Sequence, residues 1–91
     1  MSERKIAQQV FDALKLSAGK PAPEALSDLN ALIPLVQSSA GGDDLEVEEA
    51  RSSAFLRICD VGKALHRGQP ADALYSAAME ATERWMTVAR T

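Results

Sequence analysis

The sequence predicts an all-α fold, a small bundle of three or four helices whose last two form an antiparallel hairpin over about 44–67 and 70–90. Apolar residues repeat at helical spacing along four segments, no segment alternates with the period of two that marks a strand, and one short stretch ends a helix and begins the next. A chain of 91 residues suits one domain and not two, so we expect residues 1–91 to form a single helical domain.

The first helix is predicted at 2–16. Ser2 is its expected N-cap, because a serine hydroxyl can accept a hydrogen bond from a free N–H of the first turn. Ile6, Val10 and Leu14 then recur at helical spacing and define its apolar face. A glycine and two prolines follow, which predicts a loop before the next helix.

The second helix is predicted at 23–38. Pro23 suits its first turn, where a residue without an N–H is tolerated. Its apolar stripe is interrupted by Pro34. An internal proline removes a backbone hydrogen bond and clashes with the preceding turn, at a cost of about 3 kcal/mol, so we expect a kink or a break near Ile33.

The third helix begins with an acidic run. Asp43 or Asp44 is expected to cap it, and with Asp43 as the cap, Glu46 would complete a pattern that resembles a capping box. Carboxylates at this end also favour the positive end of the helix dipole. We therefore interpret the run as a helix start and not as a metal site.

Projection of the third helix at about 100° per residue gives it one apolar face. Leu45 and Leu56 fall on nearly the opposite side of the helix. Arg51 projects toward the apolar face, so its guanidinium should either extend to solvent or meet a carboxylate. The residues expected to face the core are Val47, Ala54, Phe55, Ile58, Val61, Gly62 and Leu65.

The stretch from Lys63 to Pro70 carries the signals of a helix end and a helix start. Lys63, His66 and Arg67 fall in a last turn, where basic side chains oppose the negative end of the dipole. Gly68 follows at a position that commonly turns left-handed, and Pro70 fits a new first turn because that turn does not need its N–H. These signals predict a tight connection between the last two helices.

The fourth helix carries a wide apolar surface. Tyr75, Met79 and Met86 lie beside its main stripe, and with Leu56 of the third helix they are the candidate partner-binding residues. Met and Tyr are enriched at protein interfaces, but an N-terminal helix of the bundle could equally cover this band. The residues of the main stripe are Leu74, Ala77, Ala78, Ala81, Trp85 and Val88.

Composition and charge narrow the function classes. The net charge of −3 argues mildly against nucleic acid as a partner, since phosphate binding favours a clustered basic surface. No apolar run approaches the ~20 residues needed to cross a bilayer, so no membrane partner is expected. A single cysteine and no recognisable signal peptide predict a cytoplasmic protein.

The sequence offers no catalytic constellation, and we expect no enzyme, no cofactor and no metal site. Cys59 and His66, the single cysteine and the single histidine, are seven residues apart. That spacing corresponds to roughly 10 Å along a helix, too far for a direct catalytic pair within it. One His, one Cys and scattered carboxylates also lack the spacing of a zinc site.

The functional hypothesis is a non-enzymatic protein-interaction module, such as an adaptor, an inhibitor or a small chaperone. It would act through an apolar helical face on another protein or on a second copy of itself as a homodimer. The alternative is a small nucleic-acid-associated regulator that uses basic residues of the third helix. Those residues are Arg51, Arg57, Lys63 and Arg67.

Overall fold

A computed structural model describes residues 2–40 and 42–89, which form helices and no strand. Each helix packs against two others: α3 on α4, α4 on α1, α1 on α2 and α2 on α3. The predicted all-α bundle with a C-terminal hairpin is therefore confirmed, in its four-helix form. The helices of the described residues are α1 (Glu3–Ser17), α2 (Ala22–Gln37), α3 (Leu45–His66) and α4 (Asp72–Val88).

Polar caps begin α1 and α3. The Ser2 hydroxyl accepts a hydrogen bond from the Lys5 N–H at 3.3 Å, which confirms the predicted cap. At α3 the cap is Asp44, whose Oδ1 accepts from the N–H groups of the second and third helical residues at 3.0 and 3.3 Å. The capping box predicted from Asp43 and Glu46 is wrong, because it needs the helix to begin one residue earlier.

α2 runs through Pro34 without a break. The helix begins at Ala22, one residue before the predicted start, with Pro23 in its first turn. Pro34 and Asn30 are both exposed, so water can reach the carbonyl that the missing proline N–H would have bonded. The Pro34 carbonyl itself accepts from the Ser38 N–H at 2.9 Å. The predicted break is wrong, and the kink stays a prediction.

The turn after α3 confirms the role predicted for Gly68. This residue has φ of +69°, in the left-handed region that glycine adopts without a steric penalty. Its N–H donates to the Leu65 carbonyl at 3.1 Å, and the Gln69 N–H donates to the Ala64 carbonyl at 2.8 Å. These two bonds form a Schellman motif, which satisfies carbonyls at the end of α3.

α4 begins later than the sequence predicted. Pro70 lies outside the helix, because Gln69 and Pro70 belong to the connection between α3 and α4. Ala71 is buried, and its carbonyl accepts the first helical hydrogen bond from the Tyr75 N–H at 2.8 Å. The placement of Pro70 in the first turn is therefore wrong. The predicted end, residue 90, lies outside the described residues.

One core cluster draws on all four helices, but α4 presents a different face to it from the one predicted. Tyr75 and Thr82 are buried, whereas Leu74 and Ala81 are only partly buried. The Thr82 hydroxyl donates to the Ala78 carbonyl at 2.8 Å, which satisfies it inside the core. The buried face thus includes Tyr75, which the apolar pattern placed at its side, and Thr82, which that pattern did not include.

Two polar contacts join α1 to α4 at opposite ends of α1. At its start, the indole N–H of the fully buried Trp85 donates to Glu3 Oε2 at 2.8 Å. At its end, the hydroxyls of Ser17 and Tyr75 lie 2.6 Å apart, and both residues are buried. Together these contacts fix the position of α1 along α4.

Gly62 provides a direct test of helix energetics in α3. A Cβ added here would meet no neighbouring atom within 4 Å. Because glycine inside a helix costs about 0.5–1 kcal/mol relative to alanine, Gly62→Ala should raise the free energy of unfolding by that amount in urea denaturation. Gly68→Ala is the matched control and should lower it by about 1 kcal/mol or more, since alanine is strained at positive φ. A destabilised Gly62→Ala variant would contradict this packing of α3.

Candidate functional site

The band of apolar residues on α4 lies against α1. Tyr75 is only 5% exposed, and its hydroxyl is paired with Ser17, so this side chain belongs to the core. Met79 and Met86 are partly buried and pack against the core cluster. Met79 also lines a shallow groove together with Phe11 of α1. α1 therefore covers Tyr75 and flanks Met79. Coverage of this band by an N-terminal helix is one of the two arrangements that the sequence allowed.

Leu56 lies on a different surface. Its side chain is 62% exposed on α3. It lines a groove formed by residues of α3 and a second groove shared with Gln37 of α2 and Ala40, while Met79 lines the groove beside α1. The structure thus places the candidate partner-binding residues in three surroundings: Leu56 on the surface, Tyr75 in the core, and Met79 and Met86 between the two.

We call the groove-lining side of α3 its outer face. Leu45 is 78% exposed and Leu56 is 62% exposed, so the projection that placed both leucines opposite the core is confirmed. They are eleven residues apart, which is about 16 Å along the helix axis. Ser52 and Ser53 lie between them, and their small side chains leave a shallow groove. The outer face comprises Leu45, Glu48, Glu49, Ser52, Ser53, Leu56, Arg57 and Asp60.

Glu48 and Arg51 form a fixed edge of the outer face. Glu48 Oε2 lies 3.1 Å from Arg51 Nη2, and Glu48 Oε1 accepts from the Gly42 N–H at 3.3 Å. Arg51 was predicted either to extend to solvent or to meet a carboxylate. The prediction is confirmed, because its guanidinium meets the Glu48 carboxylate. The charge of Arg51 is compensated locally, and the Glu48 carboxylate, which accepts from both Arg51 and the Gly42 N–H, ties the start of the outer face to the α2–α3 connection.

The remaining charges of the outer face are mostly acidic. Glu49 is exposed near its start, with the exposed Glu46 beside this face, and Asp60 is half-buried near its end. Arg57 is exposed and is the cation that faces this groove beside the ion-paired edge. The surface therefore combines two apolar anchors with carboxylates and a single facing arginine.

The four basic residues considered for nucleic-acid binding do not share one surface. Arg51 is paired with a carboxylate, and Arg57 lies among the carboxylates of the outer face. Lys63 and Arg67 line a separate groove between α2 and α3, together with His66. The helix therefore does not present a continuous basic patch across these four positions.

Cys59 and His66 do not come together. Cys59 is partly buried inside α3, and His66 is exposed at its last turn. Within residues 2–40 and 42–89, no three His, Cys, Asp or Glu side chains are grouped so that they could hold a metal ion. No helix in this same part of the chain is both long enough and apolar enough to cross a membrane.

No protein-family model, curated protein or solved structure matches this chain. On the surface of the described residues, three large hydrophobic side chains are exposed, and the outer face carries two of them. The third, Leu16, lies alone near the end of α1. Sequence reasoning kept Leu56 as a candidate but left out Leu45, although the same helical projection placed both on one side.

The contact between Tyr75 and Ser17 can be tested as a structural element. Tyr75→Phe removes one hydroxyl and leaves the other buried without a partner, so we expect it to lower the free energy of unfolding by about 1–2 kcal/mol in urea denaturation. The double variant with Ser17→Ala removes both hydroxyls and should lose less than the two single variants combined, by about 1 kcal/mol. Strict additivity would contradict a direct contact between these hydroxyls.

Proposed function

We propose that this protein is a non-enzymatic interaction module that binds a protein partner through the outer face of α3. The observation that carries the proposal is the pair of exposed leucines, Leu45 and Leu56, on either side of a groove lined by serines. Exposed apolar side chains grouped on one face, with polar residues around them, are typical of protein-binding surfaces. An adaptor, an inhibitor or a small chaperone would each use such a face.

The geometry sets the reach that a partner needs. The two leucines offer apolar anchors about 16 Å apart along one side of α3. The carboxylates of Glu46, Glu49 and Asp60 disfavour a phosphate backbone at the same place. The proposal therefore keeps Leu56 from the sequence-based candidates and adds Leu45, with Met79 and Met86 as the competing surface.

Site-specific photo-crosslinking in the cells that produce the protein tests this proposal. A photoreactive amino acid replaces Leu56, Met79 or Leu16, one position in each variant. We expect a defined protein to be captured from position 56 and not from position 16, which is exposed to a similar degree but lies on α1. Capture from position 79 alone, or equal capture from positions 16 and 56, would contradict the proposal.

Binding of the captured protein, once purified, gives the quantitative check. The double variant Leu45→Ser/Leu56→Ser should weaken its affinity by at least about tenfold, because buried apolar anchors dominate such interfaces. Leu16→Ser is the matched control and should bind as the unmodified chain does. Circular dichroism should be unchanged in all variants, because each replaced side chain is exposed.

A further inference from the structure

A basic groove, separate from the outer face, lies between α2 and the end of α3. Its volume is about 410 Å³, which falls in the range of small-molecule sites. Its lining combines three basic side chains with one amide, one apolar side chain and a glycine. The lining residues are Leu26, Asn30, Gly62, Lys63, His66 and Arg67.

The positive charge of this groove has no partner within the described part of the chain. Lys63 and His66 lie in the last turn of α3, and Arg67 is its C-cap residue. Among residues 2–40 and 42–89, no carboxylate lines the groove with them, and no ion pair engages any of the three. Like charges one helical turn apart repel, so a bound anion would stabilise this turn.

The helix dipole accounts for only part of this charge. The C-terminal end of a helix is equivalent to about half a negative charge, whereas Lys63 and Arg67 carry two positive charges between them. The carbonyls of Ala64 and Leu65 also accept from the backbone N–H groups of the Schellman motif, so they do not need these side chains as donors. The groove therefore keeps a surplus of positive charge.

Gly62 is an independent observation that points to a ligand. Glycine inside a helix lowers its stability relative to alanine and is often explained by the close approach of another backbone. That explanation does not apply here, because a Cβ at position 62 would meet no neighbouring atom within 4 Å. The space that a side chain would occupy belongs to the groove. The glycine thus leaves the groove floor free beside the basic turn.

We propose that this groove binds a small phosphate monoester. Its phosphate would be held by Lys63 and Arg67, side chains that commonly bind phosphate oxygens, and the His66 imidazole can donate a further hydrogen bond. The body of the molecule would lie over Gly62 and contact the half-buried Leu26. This site does not involve the outer face, so its success or failure leaves the proposed function unaffected.

Nearby carboxylates favour a single phosphate over a nucleic-acid backbone. Asp60 lies one helical turn before the groove's lysine, and Glu24 is exposed in the first turn of α2. Lys20, at the same end of α2, is already paired with Asp28 at 2.8 Å. The successive phosphates of a strand would extend beyond the groove toward these carboxylates and be repelled, whereas a monoester places one phosphate within it.

Titration of the ¹⁵N-labelled full chain, followed by amide NMR shifts, tests the proposal. The probes are adenosine 5′-monophosphate (AMP), inorganic phosphate and adenosine. We expect AMP to cause saturable shifts centred on residues 62–67, inorganic phosphate to bind there several-fold more weakly, and adenosine to cause no saturable shift. Absence of saturable binding by AMP, shifts centred elsewhere, or equal affinity for AMP and inorganic phosphate overturns the proposal. A single-stranded oligonucleotide without a terminal phosphate that binds more tightly than AMP overturns the choice of a monoester.

Substitutions separate the groove from a general effect of charge. Lys63→Gln and Arg67→Gln should each weaken AMP binding at least about tenfold, whereas Lys15→Gln should leave it unchanged. Lys15 is the matched control, because it is also an exposed lysine in the last turn of a helix. Gly62→Ala should weaken AMP binding several-fold and leave phosphate binding unchanged, although it is expected to stabilise the fold. Equal loss in Lys15→Gln, or undiminished AMP binding in Gly62→Ala, overturns the proposal.

Discussion

The burial of Trp85 is the constraint on which the rest of the structure depends. Its side chain is fully enclosed, and an indole N–H inside a core needs an acceptor, which Glu3 Oε2 supplies at 2.8 Å. This acceptor belongs to the first turn of α1, so α4 can bury its largest residue only where α1 packs against it. At the other end of α1, the contact between the Ser17 and Tyr75 hydroxyls also pairs a buried polar group of α4 with a residue of α1. Together they decide which face of α4 is inside.

Once α1 occupies that face, the position of the exposed apolar surface follows. α2 packs between α1 and α3, and α3 packs between α2 and α4, so each helix has two neighbours and one side in contact with solvent. On α4 the apolar band lies beside α1. On α3, the longest helix at 22 residues, the solvent side carries Leu45 and Leu56. Two of the three exposed large hydrophobic side chains of the described residues therefore lie on α3.

Local features of this fold could be predicted from the sequence, and features that depend on distant partners could not. Ser2 and Gly68 act within a few residues of themselves, and both were assigned correctly. Tyr75 is buried because its hydroxyl meets Ser17, 58 residues earlier in the chain. Periodicity placed Leu56 on the solvent side correctly, but it holds no information on the order of helices around the bundle. That order separates Leu56 from the methionines of α4.

The most direct test of α1 packing on α4 is acrylamide quenching of tryptophan fluorescence, since Trp85 is the single tryptophan of the chain. If Glu3 and the rest of α1 enclose the indole, the native protein should be quenched far more slowly than the urea-unfolded chain. Native quenching as fast as that of the unfolded chain would contradict the enclosed Trp85. It would return the apolar face of α4 to the solvent and remove the reason for placing the docking surface on α3.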